Sequence, residues 1–324
     1  MNRFQRFLQS HHCSEVHQFL VLEAIGRIRS SPGRRLMPWL LRYHRDLLRG
    51  VLDPDHRFRD FHNHVLHVTE GFWGGAPRVA HQWYDRLESK LAEERFPDVA
   101  HAAGVLCHYL IDVINPLHTI NQEREAQIHY AFEISLQVNL RRIQNRATEL
   151  AIHTPIRLST HRAWLGSLMM HASKLAYRRS ASLINGFDLG KGLHDPESAL
   201  DHAAIDSLAE LFELTVTTMV SVLERAAEQF ESEFGYPIPK CHWRWGWAPA
   251  IWHIPGSLFS KLFSTRARYA RLIEMEEELI RRGRLVESLP AEVDIKQRVH
   301  AVYHAERRRA LVRRKTDRPR RRAG

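Results

Sequence analysis

Two segments of this 324-residue chain carry side chains whose types and spacing could hold metal ions. In Gly104-Val105-Leu106-Cys107-His108-Tyr109-Leu110-Ile111-Asp112, the imidazole and the carboxylate lie four residues apart. On an α-helix that interval puts both on one face. Asn115-Pro116-Leu117-His118 then turns the chain and returns a second imidazole, because proline removes a donor and restricts the residue before it. Eleven residues on, His129 and Glu133 repeat the four-residue interval. Paired His/carboxylate positions on facing helices are how bundles build metal sites, and this donor mixture suits zinc. With 22 histidines in the chain, one His-x-x-x-Asp means little. The combined pattern after His108 arises by chance on the order of once in a thousand such chains.

The elements that must position these residues are helices. Apolar residues recur at helical spacing almost throughout, with no alternating strand, so the fold class is all-α. The periodicity predicts helices over 16–28, 37–48, 79–94, 98–114, 122–146, 159–183 and 198–234, with an irregular stretch over 52–77. Pro237 and Pro239 end the regular run. The organisation expected is a single multi-helix domain over 1–235, an aromatic-rich segment with C-terminal helices over 236–304, and a basic tail over 305–324.

Composition narrows the classes. At 44% hydrophobic and 26% charged residues, the chain is globular rather than disordered. No apolar run approaches the roughly 18 residues of a bilayer span, and no apolar signal segment follows the basic start. Cys13, Cys107 and Cys241 form no spaced framework and suit a reducing compartment, so the expected location is cytoplasmic. The net charge of +10 sits mostly in the tail: ten basic and two acidic residues over 305–324 give +8, leaving +2 for the other 304. Such a tail is either a solvated end or an attractor for anionic headgroups or nucleic acid. Trp243, Trp245, Trp247 and Trp252, followed by Phe259 and Phe263 beside Lys261, Arg266 and Arg268, read as a packed cap or as an interfacial membrane element.

The run His108-x-x-x-Asp112-x-x-x-x-x-His118, with Asn-Pro-Leu before the last His and His129-x-x-x-Glu133 after it, resembles the core motif of the zinc-dependent phospholipase C and single-strand nuclease superfamily. The resemblance covers roughly residues 10–235. It implies an all-α domain enclosing a multinuclear zinc cleft with two or three ions. One zinc would take His108 and Asp112 with an upstream Asp and His. A second would take His118, His129 and Glu133. A third would take an N-terminal His, Asp112 as a bridge, and the amino terminus of the mature chain.

Upstream, His17 matches the first-helix His. Asp55, with Asp53 behind it, matches the Asp, and His64, ahead of His62 and His67, matches the next His. Two departures stand out: Ile111 replaces the family's Gly, and counting back from His17 reaches Phe4 rather than a liberated terminus. The third zinc site is therefore expected to be incomplete. The remaining histidines, among them His56, His101, His300 and His304, read as surface or structural.

The activity implied is phospholipase C-like: a zinc-activated water attacks a phospholipid phosphodiester, and Asp55 orients or deprotonates that water. The alternatives are a single-strand nuclease-like phosphodiesterase and a non-catalytic, zinc-stabilised module that binds a membrane or partner. With only +2 on its body the chain favours lipid over nucleic acid, and the Trp-rich segment and tail fit an anionic membrane surface.

Overall fold

The computed structural model describes residues 3–242, 250–251 and 254–316. Among them the chain is all-α, without a strand. The helices are α1 (Arg3–His11), α2 (Val16–Arg27), α3 (Ser31–Arg42), α4 (His44–Asp53), α5 (Ala76–Ala92), α6 (Phe96–Asp112), α7 (Glu123–Glu149), α8 (Trp164–Gly186), α9 (Leu189–His194), α10 (His202–Phe234), α11 (Ile254–Arg282) and α12 (Ala291–Thr316). Trp243, Trp245, Trp247, Trp252 and the end of the basic tail (317–324) lie outside the described residues. No described helix is long and apolar enough to cross a membrane.

Helix α6 is the axis of the fold. Pro97 suits its first turn, where an N–H has no helical partner. Every residue from Ala102 to Asp112 is buried. A helix buried all round is a core helix, and it packs against α4 and α5. Its approach to α4 is backbone to backbone. A Cβ on Gly104 would sit 2.2 Å from the Leu47 carbonyl oxygen, and one on Gly50 would sit 2.2 Å from that of His101. Only hydrogen at these two positions permits the crossing.

One expected helix meets a correction, and one helix was not expected. A nine-residue helix that no expectation covers, α1 at Arg3–His11, precedes the expected ones and is held by Phe4 and Leu8 at a four-residue interval in the core. The single helix expected over 37–48 is two. Ser30 caps α3 by accepting from the Gly33 N–H, so α3 begins earlier, and the chain turns a corner at Tyr43. Beyond Pro237 and Pro239 the described chain forms α11 and α12, and Leu272, Met275 and Leu285 join the same core as α2 and α6. No disulfide joins Cys13, Cys107 and Cys241, and burial pushes the Cys107 thiol up to about 12.

The stretch from Pro54 to Gly75 is irregular, as its composition predicts: a π-helical turn at Pro54–Phe58, then 3₁₀ turns at Phe61–Asn63 and Val68–Glu70. Helix α12 packs against the 61–63 turn.

Candidate metal centre

Each candidate ligand stands on a different kind of support. His17 lies in the first turn of α2, and Asp55 in the π-helical turn that continues α4. His64 follows the Phe61–Asn63 turn, and His108 and Asp112 share the last turns of α6. Asn115 accepts from the Leu117 N–H and starts the 3₁₀ turn that carries His118. His129 and Glu133 occupy one face of α7.

The structure brings all eight together. Asp112 Oδ1 accepts from His17 Nε2 at 2.9 Å and lies 3.7 Å from His118 Nδ1. Its Oδ2 lies 2.9 Å from His64 Nδ1 and 3.0 Å from His108 Nε2. Asp55 Oδ1 is 3.5 Å from the first of these nitrogens and 3.6 Å from the second. Glu133 Oε1 is 3.4 Å from His129 Nε2 and 3.8 Å from His118 Nε2. The donors form three groups, of which the first two share His108: His17, His108 and Asp112; Asp55, His64 and His108; His118, His129 and Glu133. Of the alternatives, His62 joins no group among the described residues, His67 joins a different one, and Asp53 pairs with His101 at 2.7 Å.

The orientation of the rings is set from behind. His108 Nδ1 donates to the Val51 carbonyl at 2.8 Å, and His118 Nδ1 to the His64 carbonyl at 3.1 Å. His129 Nδ1 donates to Glu125 at 2.6 Å, and His64 Nε2 to Asp60 at 3.3 Å. Asp60 also accepts from Tyr109 and Asn63. Burial alone would raise Asp60, but the hydrogen bonds from His64 and Asn63 bring it down to about 2. With one nitrogen of each ring committed as a donor, the other presents a lone pair to the cluster, which is the arrangement of metal-ligating histidines. Sequence reading missed Glu125 and Asp60, although each stands four residues before the histidine it orients.

These lone pairs test whether a cation fits. In their neutral forms His64 Nδ1 and His108 Nε2 are acceptors facing one another at 3.2 Å, with the Asp112 and Asp55 oxygens beside them. Asp112 Oδ2 and His118 Nε2 are buried and make no hydrogen bond among the described residues. Acceptors turned on acceptors in a dry site need protons or a metal ion. Without a metal the protons come. Burial would lower His17, but the Asp112 carboxylate pushes it up to about 9, and His64 likewise stands well above its ordinary value. Burial would raise Asp112 and Glu133, but His108 and His118 hold the first, and His129 and His118 the second, well below the carboxylate range. Burial raises Asp55, which stays one-third exposed where Asp112 is 1% exposed. The donor set fits zinc, which accepts imidazole and carboxylate together.

A cavity of about 240 Å³ opens beside the donors. His17, Asp55, Asp112, His118 and Glu133 are its polar lining, and Leu20, Ile134, Leu140, Ile143, Leu208 and Leu211 make a mainly aliphatic wall, with Tyr130 and Phe212 also in the lining. Phe72 and Trp73 are not part of it. Arg268 of α11 reaches its rim, donating to the Ser14 carbonyl, Gln137 and Glu15. Residues 1 and 2, on which the third zinc expectation depends, lie outside the described residues.

Fold and donors together define an all-α protein with a candidate metal centre. A family model described as zinc-dependent phospholipase C matches residues 16–180, just over half of the chain, and the chain belongs to that family. All eight candidate ligands fall inside the match. No curated protein and no solved structure matches the chain.

Proposed function

We propose that this protein is a zinc-dependent phosphodiester hydrolase acting on phospholipid. The observation that carries this reading is the cavity, which runs from the buried donors onto an aliphatic wall. Such a wall suits an acyl chain; single-stranded nucleic acid calls for a run of stacking aromatics and a basic groove, and the lining offers two aromatics, Tyr130 and Phe212, and one arginine, Arg268.

In this reading Asp55, His64, His108 and Asp112 hold one zinc, and His118, His129 and Glu133 another. His17 with Asp112 offers part of a third site. When bound, zinc supplies positive charge to the phosphoryl oxygens and makes a water acidic enough to ionise near neutral pH. The chain's residues do the rest. Asp55, open to the cavity, accepts the proton of the attacking water. The water oxygen bonds to phosphorus as the phosphorus–oxygen ester bond breaks. A phosphomonoester remains, and the alcohol leaves with the proton that Asp55 took up. The aliphatic wall orients the lipid and excludes water.

The test measures zinc per chain and hydrolysis of phosphatidylcholine and of single-stranded DNA, for the wild type and Asp112→Asn. Two or more zincs with lipid cleavage that Asp112→Asn abolishes supports the reading. Cleavage of DNA alone favours the nuclease, and bound zinc with neither activity favours a binding module. Below one zinc per chain, the whole assignment fails.

We place its action at the cytoplasmic face of an anionic membrane, supported by the charge of residues 305–324. Deleting 307–324 should weaken binding to anionic vesicles at low salt. Unchanged binding removes that role.

A further inference from the structure

A second set of donors gathers on the far side of the loop that carries His64. Glu70 Oε2 lies 2.6 Å from His300 Nε2, 3.1 Å from His67 Nδ1 and 3.9 Å from His304 Nε2. One ligand atom from each of His67, Glu70 and His300 lies within 4.8 Å of the others. A tetrahedral zinc with bonds of about 2.0–2.2 Å spaces its ligand atoms about 3.3 Å apart. The three separations about Glu70 straddle that value, so small side-chain adjustments admit an ion.

The site is buried at His67 and partly open at its other ligands: the Glu70, His300 and His304 side chains are 24%, 18% and 31% exposed. His67 is fully buried, and its N–H bonds to the Trp73 carbonyl. The Trp73 ring covers His67 at 5.1 Å and stands edge-on to His300 at 4.7 Å. His300 and His304 are four apart on α12 with ring centroids 4.2 Å apart, so both reach toward the loop. Asn121 Nδ2 lies 3.4 Å from Glu70 Oε1 and 3.2 Å from His300 Nε2, and an ion at the site would displace the second of these contacts. No residue is shared with the groups around Asp112.

We propose that His67, Glu70 and His300, with His304 as the fourth ligand, bind a further divalent ion of the zinc class. Imidazole-rich sites with one carboxylate favour zinc over magnesium or calcium. Four protein ligands leave no open position for a substrate, which makes the site structural. Its role is a tie. His67 and Glu70 lie inside the family-matched region, and His300 and His304 far beyond it, so the ion clamps the last described helix to the family-matched domain. The clamp acts close to the candidate centre, since the Leu66 N–H bonds to the His118 carbonyl at 2.9 Å. None of this depends on the hydrolase reading.

The experiment is zinc-edge anomalous diffraction on the full chain, together with zinc content of the wild type, Glu70→Gln and His300→Ala. A density peak between Glu70 and His300, and a loss of one zinc per chain in each folded variant, is the expected result. No peak there, or wild-type zinc content in both variants, overturns the site. If a variant fails to fold, the wild-type map decides alone. A peak at Glu70 with none at Asp112 supports this site while defeating the hydrolase reading, and the reverse pattern does the opposite.

Discussion

His108 donates from Nδ1 to the main-chain carbonyl of Val51, and that bond joins the two most intimately packed helices of the fold to the candidate centre. Val51 follows Gly50, one of the two glycines that let α4 and α6 touch through their backbones. The crossing of these helices and the direction of the His108 ring are one arrangement.

Gly104→Ala tests it. In an ordinary helix the change stabilises by about 1 kcal/mol. Here the new methyl meets the Leu47 carbonyl oxygen at 2.2 Å, and overpacking of that kind costs about 1–3 kcal/mol. Urea unfolding should therefore show net destabilisation, with reduced zinc uptake. A stabilised variant would mean that the two helices part easily.

Glu125→Ala leaves His129 without the acceptor that turns its Nε2 toward Glu133. Zinc affinity should fall about 10–100-fold. Glu125→Gln, whose amide oxygen can still accept from Nδ1, should recover part of it. Competition titration against a chelator reads both, and equal affinity in all three proteins would dismiss the orienting role.

Glu278 organises the turn between α11 and α12, accepting from the N–H groups of Val286, Glu287 and Ser288 and from the Ser288 hydroxyl. The Glu287 N–H and the Ser288 hydroxyl lower its pKa from 4.5 to about 2. Its folded value lies below its unfolded one, so its stabilisation is present above pH 4.5 and is lost as pH falls toward 2. Glu278→Gln should melt below the wild type at pH 7, and the gap should close between those two values. A gap that stays constant from neutral to strongly acid pH would contradict this.

Leu211→Trp narrows the aliphatic wall. For a long-chain phosphatidylcholine, kcat/KM should drop about tenfold more than for a short soluble phosphodiester. Equal losses on the two substrates would show that the wall does not receive the acyl chain.

The ligands on α6 and α7 were legible in the sequence because a helix converts a four-residue interval into a shared face, with no knowledge of the rest of the fold. The corner at Tyr43 was hidden, since Leu40, Leu41, Leu47 and Leu48 keep an apolar rhythm across it. His300 and His304 show the same interval as His129 and Glu133. Their partner Glu70 is 230 residues away, and only tertiary packing discloses that pairing. His64 was separable from His62 and His67 only once the irregular loop had a shape.

The bond from His17 to Asp112 spans 95 residues, and that from His108 to Val51 spans 57. Long-range closures of this kind come late and slowly in folding. An unfolded chain offers an ion only the local pairs along α6 and α7. Tight metal uptake should therefore report the arrival of the native state, and each bound ion should draw the folding equilibrium toward it by mass action.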